Sequence, residues 1–242
     1  MCYNIELIGV KMKLSQETIS TLLNFSKISP QMKIHAGKVQ SIKNNSVCLA
    51  YVTVEEDFPI DFCVYDLSEF ISMLSLVKDA ELQFNEKYVS IKSGTQEIKY
   101  YNTEESFVKN SDAKDVLKNV PEFEINFDLT KGNMESILRG VSVFKSNVIT
   151  FEIEPLSVTS FVSSNEDSDT SNNLKILIDD KPQDGGRECL GQVSISVENW
   201  KIPPNDYTVY VSSKGLCKFE SKDGKSTYYI AINKKRSTLE AI

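Results

Sequence analysis

The chain has 242 residues, of which 40% are hydrophobic and 25% are charged, an ordinary composition for a globular protein of one large or two small domains. Its 27 basic and 34 acidic residues give a formal net charge of -7, which argues against a protein held to nucleic acid by bulk electrostatics. The longest apolar stretches, such as residues 48–54, are far shorter than the roughly 20 residues that span a bilayer. Residues 1–11 also lack the basic leader of a signal peptide, so a cytoplasmic protein is expected.

The residue types argue against several classes of site. The five cysteines form no C-x-x-C pair and His35 is the single histidine, so a disulfide scaffold, a zinc site and a histidine base are all disfavoured. The acidic pairs Glu55–Glu56 and Asp179–Asp180 are interpreted as solvated, and no phosphate-binding or dinucleotide-binding glycine motif is present. We therefore expect no metal, no cofactor and no catalytic residues.

The first predicted helix begins after Ser15, whose hydroxyl is suited to accept a hydrogen bond from an unpaired amide of the first turn, a contribution of about 1 kcal/mol. Its apolar face consists of residues at helical spacing, Ile19, Leu22, Leu23 and Phe25. A second helix is predicted within residues 65–77, with Ser68 as a hydroxyl start of the same kind.

Three short strands follow the second helix, because polar and apolar residues alternate over residues 80–84, 88–92 and 96–101. Residues 101–121 are polar and show no sustained period. That segment is expected to be a connector that lies over the surface.

The pattern of the first half then repeats. Residues 128–149 match residues 13–34 in the character of each position, with Thr130 in place of Ser15. The apolar face of this third helix is longer and consists of Met134, Ile137, Leu138, Val141 and Phe144.

The end of the second half also resembles the end of the first. Strands are predicted over residues 207–211, 216–220 and 226–232, whereas residues 197–202 allow only about one helical turn before two prolines. Such a duplication indicates two similar domains. The predicted boundaries are an N-terminal extension over 1–11, a first domain over 12–100, a connector over 101–121 and a second domain over 122–242.

The two matching helices carry a polar stripe opposite their apolar faces. The stripe consists of Gln16, Ser20, Asn24 and Lys27 in the first copy and of Lys131, Glu135, Arg139 and Ser142 in the second. Two interpretations remain open at this point. The stripe is either an ordinary solvated helix face or a surface that faces a polyanion.

Two segments carry a resemblance to a known family. The run MKLSQETISTLLNFSKIS (12–29), followed by DFCVYDLSEFISMLSLVKDAEL (61–82), strongly resembles the sliding clamp, or DNA polymerase processivity factor, of T4-like bacteriophages. The resemblance is dense through residue 84 and weaker but collinear through 128–141 and 199–220. The connector and residues 163–190 depart from the pattern.

The resemblance implies an α+β protein with the DNA clamp fold, in which each subunit has two topologically similar domains. Clamps of this family are homotrimeric rings with sheets outside and helices lining the inner surface around double-stranded DNA. Because a closed ring is linked to DNA topologically, a few weak, sequence-independent phosphate contacts suffice. The residues expected to face DNA are Lys27, Lys131 and Arg139, with Lys43, Lys78, Lys201 and Lys214 as further candidates.

The resemblance also implies partners. Family members tether the replicative DNA polymerase through a short hydrophobic tail, and they engage a clamp-loader ATPase complex and a late transcription sigma-like factor with its coactivator. In this chain the partner-peptide groove is expected at Tyr101, Val116, Leu117, Phe123, Tyr228 and Tyr229, although the same residues are equally compatible with core positions. The expected location is the cytoplasm of the infected bacterial host.

Two other classes of function fit parts of the sequence. A duplicated β-rich structural or interaction module without a DNA role would also be acidic, repetitive and non-enzymatic. A small enzyme that uses carboxylates without histidine is the other alternative. The ring predicts a trimer in solution, whereas the structural module predicts a monomer or another assembly.

Overall fold

A computed structural model describes residues 10–44, 47–108, 120–165, 168, 170–180 and 189–241 of the chain. It divides into two compact units. The first comprises residues 1–45 and 49–115, and the second comprises residues 46–48 and 116–242.

The first unit contains two helices, and each begins at a polar cap. Helix α1 (Gln16–Ser26) starts after Ser15, whose side chain accepts a hydrogen bond of 3.1 Å from the amide of Thr18, as predicted. Helix α2 (Leu67–Leu76) starts after Asp66, whose carboxylate accepts a hydrogen bond of 3.0 Å from the amide of Glu69. The prediction that Ser68 starts this helix is wrong, because an aspartate caps a helix as well as a serine does and lies two residues earlier.

The strands of the first unit form a four-stranded antiparallel sheet and smaller pairings. The sheet has the order β1-β6-β7-β8, and β2 pairs with β5 while β3 lies beside β4. The strands are β1 (Lys11–Met12), β2 (Met32–Ile34), β3 (Gly37–Asn44), β4 (Cys48–Phe58), β5 (Phe62–Val64), β6 (Glu81–Phe84), β7 (Tyr88–Ser93) and β8 (Gln96–Tyr101). The three strands predicted between residues 80 and 101 are confirmed.

An aromatic cluster fills the core of the first unit. The ring of Phe70 from α2 lies 5.1 Å from that of Tyr100, and the ring of Phe62 lies 6.1 Å from Phe70 and 6.3 Å from Phe84. All four side chains are buried. These rings hold α2 against the strands through a large apolar contact area.

The second unit repeats the helix and strand order with one helix shortened. Its elements are β9 (Ile125–Leu129), α3 (Lys131–Phe144), β10 (Val148–Ile153), β11 (Val158–Ser163), β12 (Asn173–Asp179), β13 (Cys189–Ser196), β14 (Tyr207–Ser212), β15 (Leu216–Ser221), β16 (Ser226–Ala231) and β17 (Thr238–Ala241). In place of a second α-helix there is one 3-10 turn over Val197–Asn199, so the prediction of about one turn is confirmed.

The strands of the second unit also pair antiparallel. One sheet has the order β12-β11-β10-β13-β17, and β9, β14, β15 and β16 form a second set in the order β16-β15-β14-β9. Trp200 packs between these strands, with its ring 6.3 Å from Phe151 and 5.4 Å from Phe219. These two ring contacts of Trp200 hold the segment that follows the 3-10 turn against the strands.

The described cysteine side chains are part of the core. Cys48, Cys63 and Cys217 are buried free thiols, and burial raises the pKa of each, that of Cys48 to about 12. Within the described ranges, no helix is long and apolar enough to cross a membrane. No three metal-ligating side chains come together in that same part of the chain.

Candidate nucleic-acid interface

Helix α3 presents the clearest candidate surface for a polyanion. Its first turn is capped twice, because the Thr130 hydroxyl accepts from the amide of Asn133 (3.2 Å) and the Asp206 carboxylate accepts from the amide of Lys131 (2.7 Å). The predicted polar stripe is exposed at all four positions, Lys131, Glu135, Arg139 and Ser142. On the opposite side, Met134 and Ile137 are fully buried, so the helix is held with its cations outward.

Within the described residues, the side chains of the two cations of this stripe form no ion pair. Arg139 donates a hydrogen bond of 3.1 Å to the hydroxyl of Ser136. Among the residues that the structure describes, neither Lys131 nor Arg139 forms an ion pair, although Glu135 lies one turn from each. Other lysines of the unit are paired, Lys175 with Glu152, Lys218 with Glu220 and Lys222 with Asp128. The α3 stripe therefore keeps its positive charge available to an external anion.

Helix α1 presents a smaller cationic surface. Lys27 is exposed and directly follows the helix, where the negative end of the helix dipole stabilises a cation. The predicted stripe is wrong at Asn24, which is only 9% exposed, and the predicted apolar face is wrong at Leu23, which is 46% exposed. The buried face is instead centred on Thr18, Leu22 and Phe25, because α1 packs against α2.

The further lysine candidates differ in exposure. Lys78 is exposed two residues after the end of α2, and Lys214 is exposed in the turn between β14 and β15. Lys43 and Lys201 are half-buried, and each already interacts within the protein. Lys27, Lys43 and Lys78 belong to the first unit and the other four cations to the second.

The residues predicted for a partner-peptide groove separate into three groups. Tyr228 is 2% exposed and packs edge-on against Tyr207, so for this residue the core alternative is correct and the groove prediction is wrong. Tyr101 is 66% exposed, and Phe123 and Tyr229 are half-exposed, so these three keep a surface that a partner can reach. Val116 and Leu117 lie outside the described residues.

One end strand in each unit is a candidate for pairing with another copy of the chain. Strand β8 ends the four-stranded sheet of the first unit and β12 ends the five-stranded sheet of the second. Leu177 in β12 is 57% exposed. An end strand presents backbone donors and acceptors along one side, which is a ready template for pairing with another chain.

Two carboxylates that position the helices were not found from the sequence. Glu56 was interpreted as a solvated acid, yet it accepts hydrogen bonds from the amide of Ser15 and the hydroxyl of Thr18. Burial raises the pKa of Glu56, but these hydrogen bonds outweigh burial and leave it below its ordinary value. Asp206 likewise accepts a hydrogen bond from the amide of Lys131 at the start of α3. Both acids are far from their helices in sequence, so no local motif reveals them.

Comparisons with known proteins identify relatives of the chain. No protein-family model matches it. It is 29% identical to the sliding clamp of Vibrio phage KVP40 over 86% of this chain and 94% of that protein. It is 36% identical to the sliding clamp of Escherichia phage RB69 over 28% of this chain and 30% of that one.

Solved structures show the same fold at low sequence identity. The A. fulgidus PCNA, solved with the C-terminal region of FEN-1, matches with a TM-score of 0.65 and 13% identity, covering 93% of this chain and 98% of that chain. The Helicobacter pylori beta clamp, solved with a DNA ligase peptide, also gives a TM-score of 0.65, with 11% identity over 93% of this chain. The chain spans 66% of the length of that bacterial clamp.

The relative from phage KVP40 is matched over nearly its whole length, and the structural neighbours are DNA clamps. The duplicated helix and strand order found here is the fold of these clamps. The chain therefore has the DNA clamp fold, and it is similar to a bacteriophage sliding clamp over most of its length.

Proposed function

We propose that three copies of the chain close into a ring around duplex DNA and tether a bacteriophage replicative DNA polymerase in the cytoplasm of the infected bacterial host. The observation that carries the proposal is the exposed stripe of α3, where the side chains of Lys131 and Arg139 form no ion pair with any described residue, in a chain of net charge -7. An acidic ring would repel phosphates unless cations lined its opening.

The charge pattern fits sliding better than tight binding. Two cations on α3, with Lys27 after α1 and the exposed Lys78 and Lys214, provide few phosphate contacts per copy. Such contacts are weak, independent of sequence and sensitive to salt. Retention on DNA then depends on ring closure rather than on affinity.

Ring closure is proposed to occur through the end strands β8 and β12. If β8 of one copy pairs with β12 of the next, each copy uses two different surfaces, which makes the contact heterologous, and such contacts close when the rotation is one third of a turn. Exposed Leu177 in β12 would then be covered by the neighbouring copy.

Polymerase tethering is proposed to use the exposed aromatic side chains of Tyr101, Phe123 and Tyr229. A polymerase that binds the ring weakly stays at high effective concentration near the primer end, which is sufficient for long synthesis. The same surface is proposed to engage the clamp-loader ATPase complex that opens the ring, and the late transcription sigma-like factor with its coactivator.

The decisive experiment measures primer extension by the cognate polymerase and loader on primed circular DNA and on the same DNA linearised. A ring predicts stimulation on the circle and its loss on the linear template, from which the ring slides off. The double variant Lys131→Glu/Arg139→Glu should lower stimulation, whereas the matched variant Lys38→Glu/Lys87→Glu, at two exposed lysines elsewhere, should not. Equal stimulation on both templates would refute topological loading, and an unchanged double variant would remove α3 from the DNA contacts.

A further inference from the structure

The end strands β8 and β12 differ from the strands at the opposite ends of their sheets. In the four-stranded sheet, β8 has six residues and the other end strand, β1, has two. In the five-stranded sheet, β12 has seven residues and β17 has four. Because an end strand leaves a row of backbone donors and acceptors without a partner, β8 and β12 offer the longer edges for the addition of a strand.

The backbone of β8 alternates between its two sides. The amide of Asn102 donates to the carbonyl of Lys87 (2.8 Å) at the end of the β7–β8 pairing, and hydrogen-bonded positions alternate with the others along an antiparallel pair. The even-numbered residues of β8 therefore bond to β7, and residues 97, 99 and 101 direct their amides and carbonyls to the free side. The even-numbered residues also face α2, because the ring of Tyr100 lies 5.1 Å from that of Phe70.

Strand β12 has the same arrangement. The amide of Ser164 donates to the carbonyl of Asn172 (3.0 Å) at the end of the β11–β12 pairing. Residues 174 and 176 therefore bond to β11, and residues 173, 175 and 177 direct their amides and carbonyls to the free side. The even-numbered residues again face a helix, because Leu174 packs against Gly140 of α3.

These matching patterns decide the orientation in which the two edges can join. In an antiparallel pair, residues that exchange hydrogen bonds lie opposite each other and point their side chains to the same face. Antiparallel pairing of β8 with β12 therefore places α2 of one copy and α3 of the next on the same face of a continuous sheet. In a parallel pair each residue bonds to the two that flank the residue opposite it, which would place the helices on opposite faces. An antiparallel shift of one residue would also separate the helices.

We propose that β8 of one copy pairs antiparallel with β12 of the next in the register that sets Lys99 opposite Lys175. The inference rests on the ring closure proposed above and adds the orientation and register of that contact. Residues 97–101 then lie opposite residues 173–177. Three hydrogen-bonded pairs form, 97 with 177, 99 with 175 and 101 with 173.

Shifts of two residues keep the helices on one face but lose one of these three pairs. In one direction Leu177 lies opposite Thr95, which is in the turn before β8. In the other direction Glu97 lies opposite Asp179, beyond the irregularity that the β11–β12 pairing shows near the end of β12. The proposed register is therefore the one that uses the regular part of both strands.

The same register matches the apolar side chains on the helix side. Ile98 lies opposite Ile176, and Tyr100 lies opposite Leu174. Ile98, Leu174 and Ile176 are only half-buried in the single chain, whereas Val162, the neighbour of Leu174 on β11, is buried. These are non-hydrogen-bonded pairs with Cα atoms about 4.5 Å apart, so their side chains meet closely and the contact buries apolar surface that the single chain leaves exposed.

The outer face carries one unfavourable pair, Lys99 opposite Lys175. The ammonium of Lys99 lies 4.9 Å from the centre of the Tyr88 ring, and that of Lys175 lies 3.4 Å from Glu152. Each cation therefore has a partner within its own copy. Both lysines are exposed, so water and salt screen their repulsion.

The test compares three double cysteine variants of the whole protein under mild oxidation. Lys99→Cys/Lys175→Cys reports the proposed register, and Glu97→Cys/Lys175→Cys and Lys99→Cys/Leu177→Cys report the two shifted ones. Cα atoms directly opposite in such pairs are about 5.5 Å apart, within the range of a disulfide, whereas diagonal neighbours at about 7–8 Å are too far. Lys99→Cys/Lys175→Cys should form covalent dimers and trimers on a non-reducing gel at least tenfold faster than the other two variants and wild type.

Lys99→Glu gives a second readout, because it sets opposite charges against each other in the proposed register only. It should lower the dissociation constant between copies about threefold, measured by light scattering over a dilution series. Lys87→Glu makes the same charge change at an exposed residue before β7 and should leave the constant unchanged.

Faster crosslinking of either other double variant, or no decrease of the constant in Lys99→Glu, would overturn the register. Absence of crosslinking in all three variants of a trimeric wild type would overturn the strand pairing. A wild type that is monomeric at every concentration would refute the proposed ring itself and the register with it. The mass of the wild type therefore distinguishes failure of the ring from failure of the register.

Discussion

The carboxylate of Glu56, near the end of β4, accepts a hydrogen bond from the hydroxyl of Thr18 in the first turn of α1. The same carboxylate accepts from the amide of Ser15, so one acid satisfies two donors at the helix start. Thr18 is only 1% exposed. Because the first amides of a helix have no partner within it, this contact from a distant strand fixes where α1 begins and how it lies on the first unit.

Replacing Glu56 by Gln should destabilise the first unit by about 1–2 kcal/mol, because the amide keeps one acceptor but loses the charge that strengthens both hydrogen bonds. The measurement is urea unfolding at pH 7 and fixed protein concentration. Glu55→Gln is the matched control, since Glu55 is the exposed neighbour and should change stability little. Equal losses in the two variants would show that the effect comes from net charge rather than from the cap.

The contribution of Glu56 to the free energy of unfolding should also depend on pH. Its pKa is lowered in the folded protein by the hydrogen bonds from Thr18 and Ser15, which outweigh the opposing effect of burial. A lowered pKa gives stability that is present above the unfolded pKa of about 4.3 and is lost as the pH falls through the folded pKa. The stability difference between wild type and Glu56→Gln should therefore be constant at neutral pH and narrow below about pH 4. A difference that stays constant into acid would contradict this assignment.

Two glycines of α3 should respond in opposite directions to alanine. A Cβ at Gly140 would lie 2.8 Å from side-chain atoms of both Val162 and Leu174, so Gly140→Ala should cost about 1–3 kcal/mol through overpacking. A Cβ at Gly132 would meet nothing within 4 Å, so Gly132→Ala should stabilise the helix by roughly 0.5 kcal/mol. Thermal unfolding of both variants checks the pair. If Gly140→Ala is more stable than the wild type, β11 and β12 must shift away from α3 to make room for the added Cβ.

Local features of the sequence predicted the three α-helices and the last strands of each half. Ser15 and Thr130 cap α1 and α3 because a cap needs only a hydroxyl three residues before the amide that it binds. Alternation predicted the three strands at the end of each half because each of these strands buries one face. Two prolines at positions 203 and 204 predicted that residues 197–202 form only about one helical turn, because proline ends a helix.

Features that depend on distant residues were missed. Periodicity cannot show that α1 packs against α2, and this contact buries Asn24 and exposes Leu23. Alternation identifies the two faces of β16 but not which one is covered, so Tyr228 was compatible with a groove until its contact with Tyr207 was known. Glu56 and Asp206 reach their helices only in the folded chain.

The ion-pair cluster of Lys33 should hold the start of the connector. Its ammonium lies 3.1 Å from Asp61 and 2.9 Å from Glu105, which is in the 3-10 turn Glu105–Phe107. The bond to Glu105 is the main cause that raises the pKa of Lys33, with Asp61 adding to it and burial opposing both. A raised lysine pKa gives stability that is fully present below the unfolded value of about 10.4. The cluster is therefore intact at neutral pH.

Lys33→Met should destabilise the first unit by about 0.5–1 kcal/mol, because both ion pairs are lost but water screens the carboxylates of Asp61 and Glu105, which are more than half exposed. Hydrogen exchange of the amides of Phe107 and Val108, which bond to the carbonyls of Glu104 and Glu105, should become faster. Lys38→Met removes an exposed lysine from the same unit and serves as the control. Unchanged exchange in Lys33→Met would show that the turn is held by other contacts.

The proposed ring places Leu177 of β12 in an interface between copies. Leu177 is 57% exposed in the single chain, and burying a leucine contributes about 1.5–3 kcal/mol. Leu177→Lys should therefore raise the dissociation constant of each contact by about tenfold or more, while the thermal unfolding of the separated copy stays as in wild type. Light scattering after gel filtration over a dilution series measures the change. Leu156→Lys alters a leucine that is 63% exposed in the turn after β10 and should leave the mass unchanged. If the assembly of Leu177→Lys dissociates at the same protein concentration as that of the wild type, β12 does not form the contact between copies. The ring must then close through a different strand.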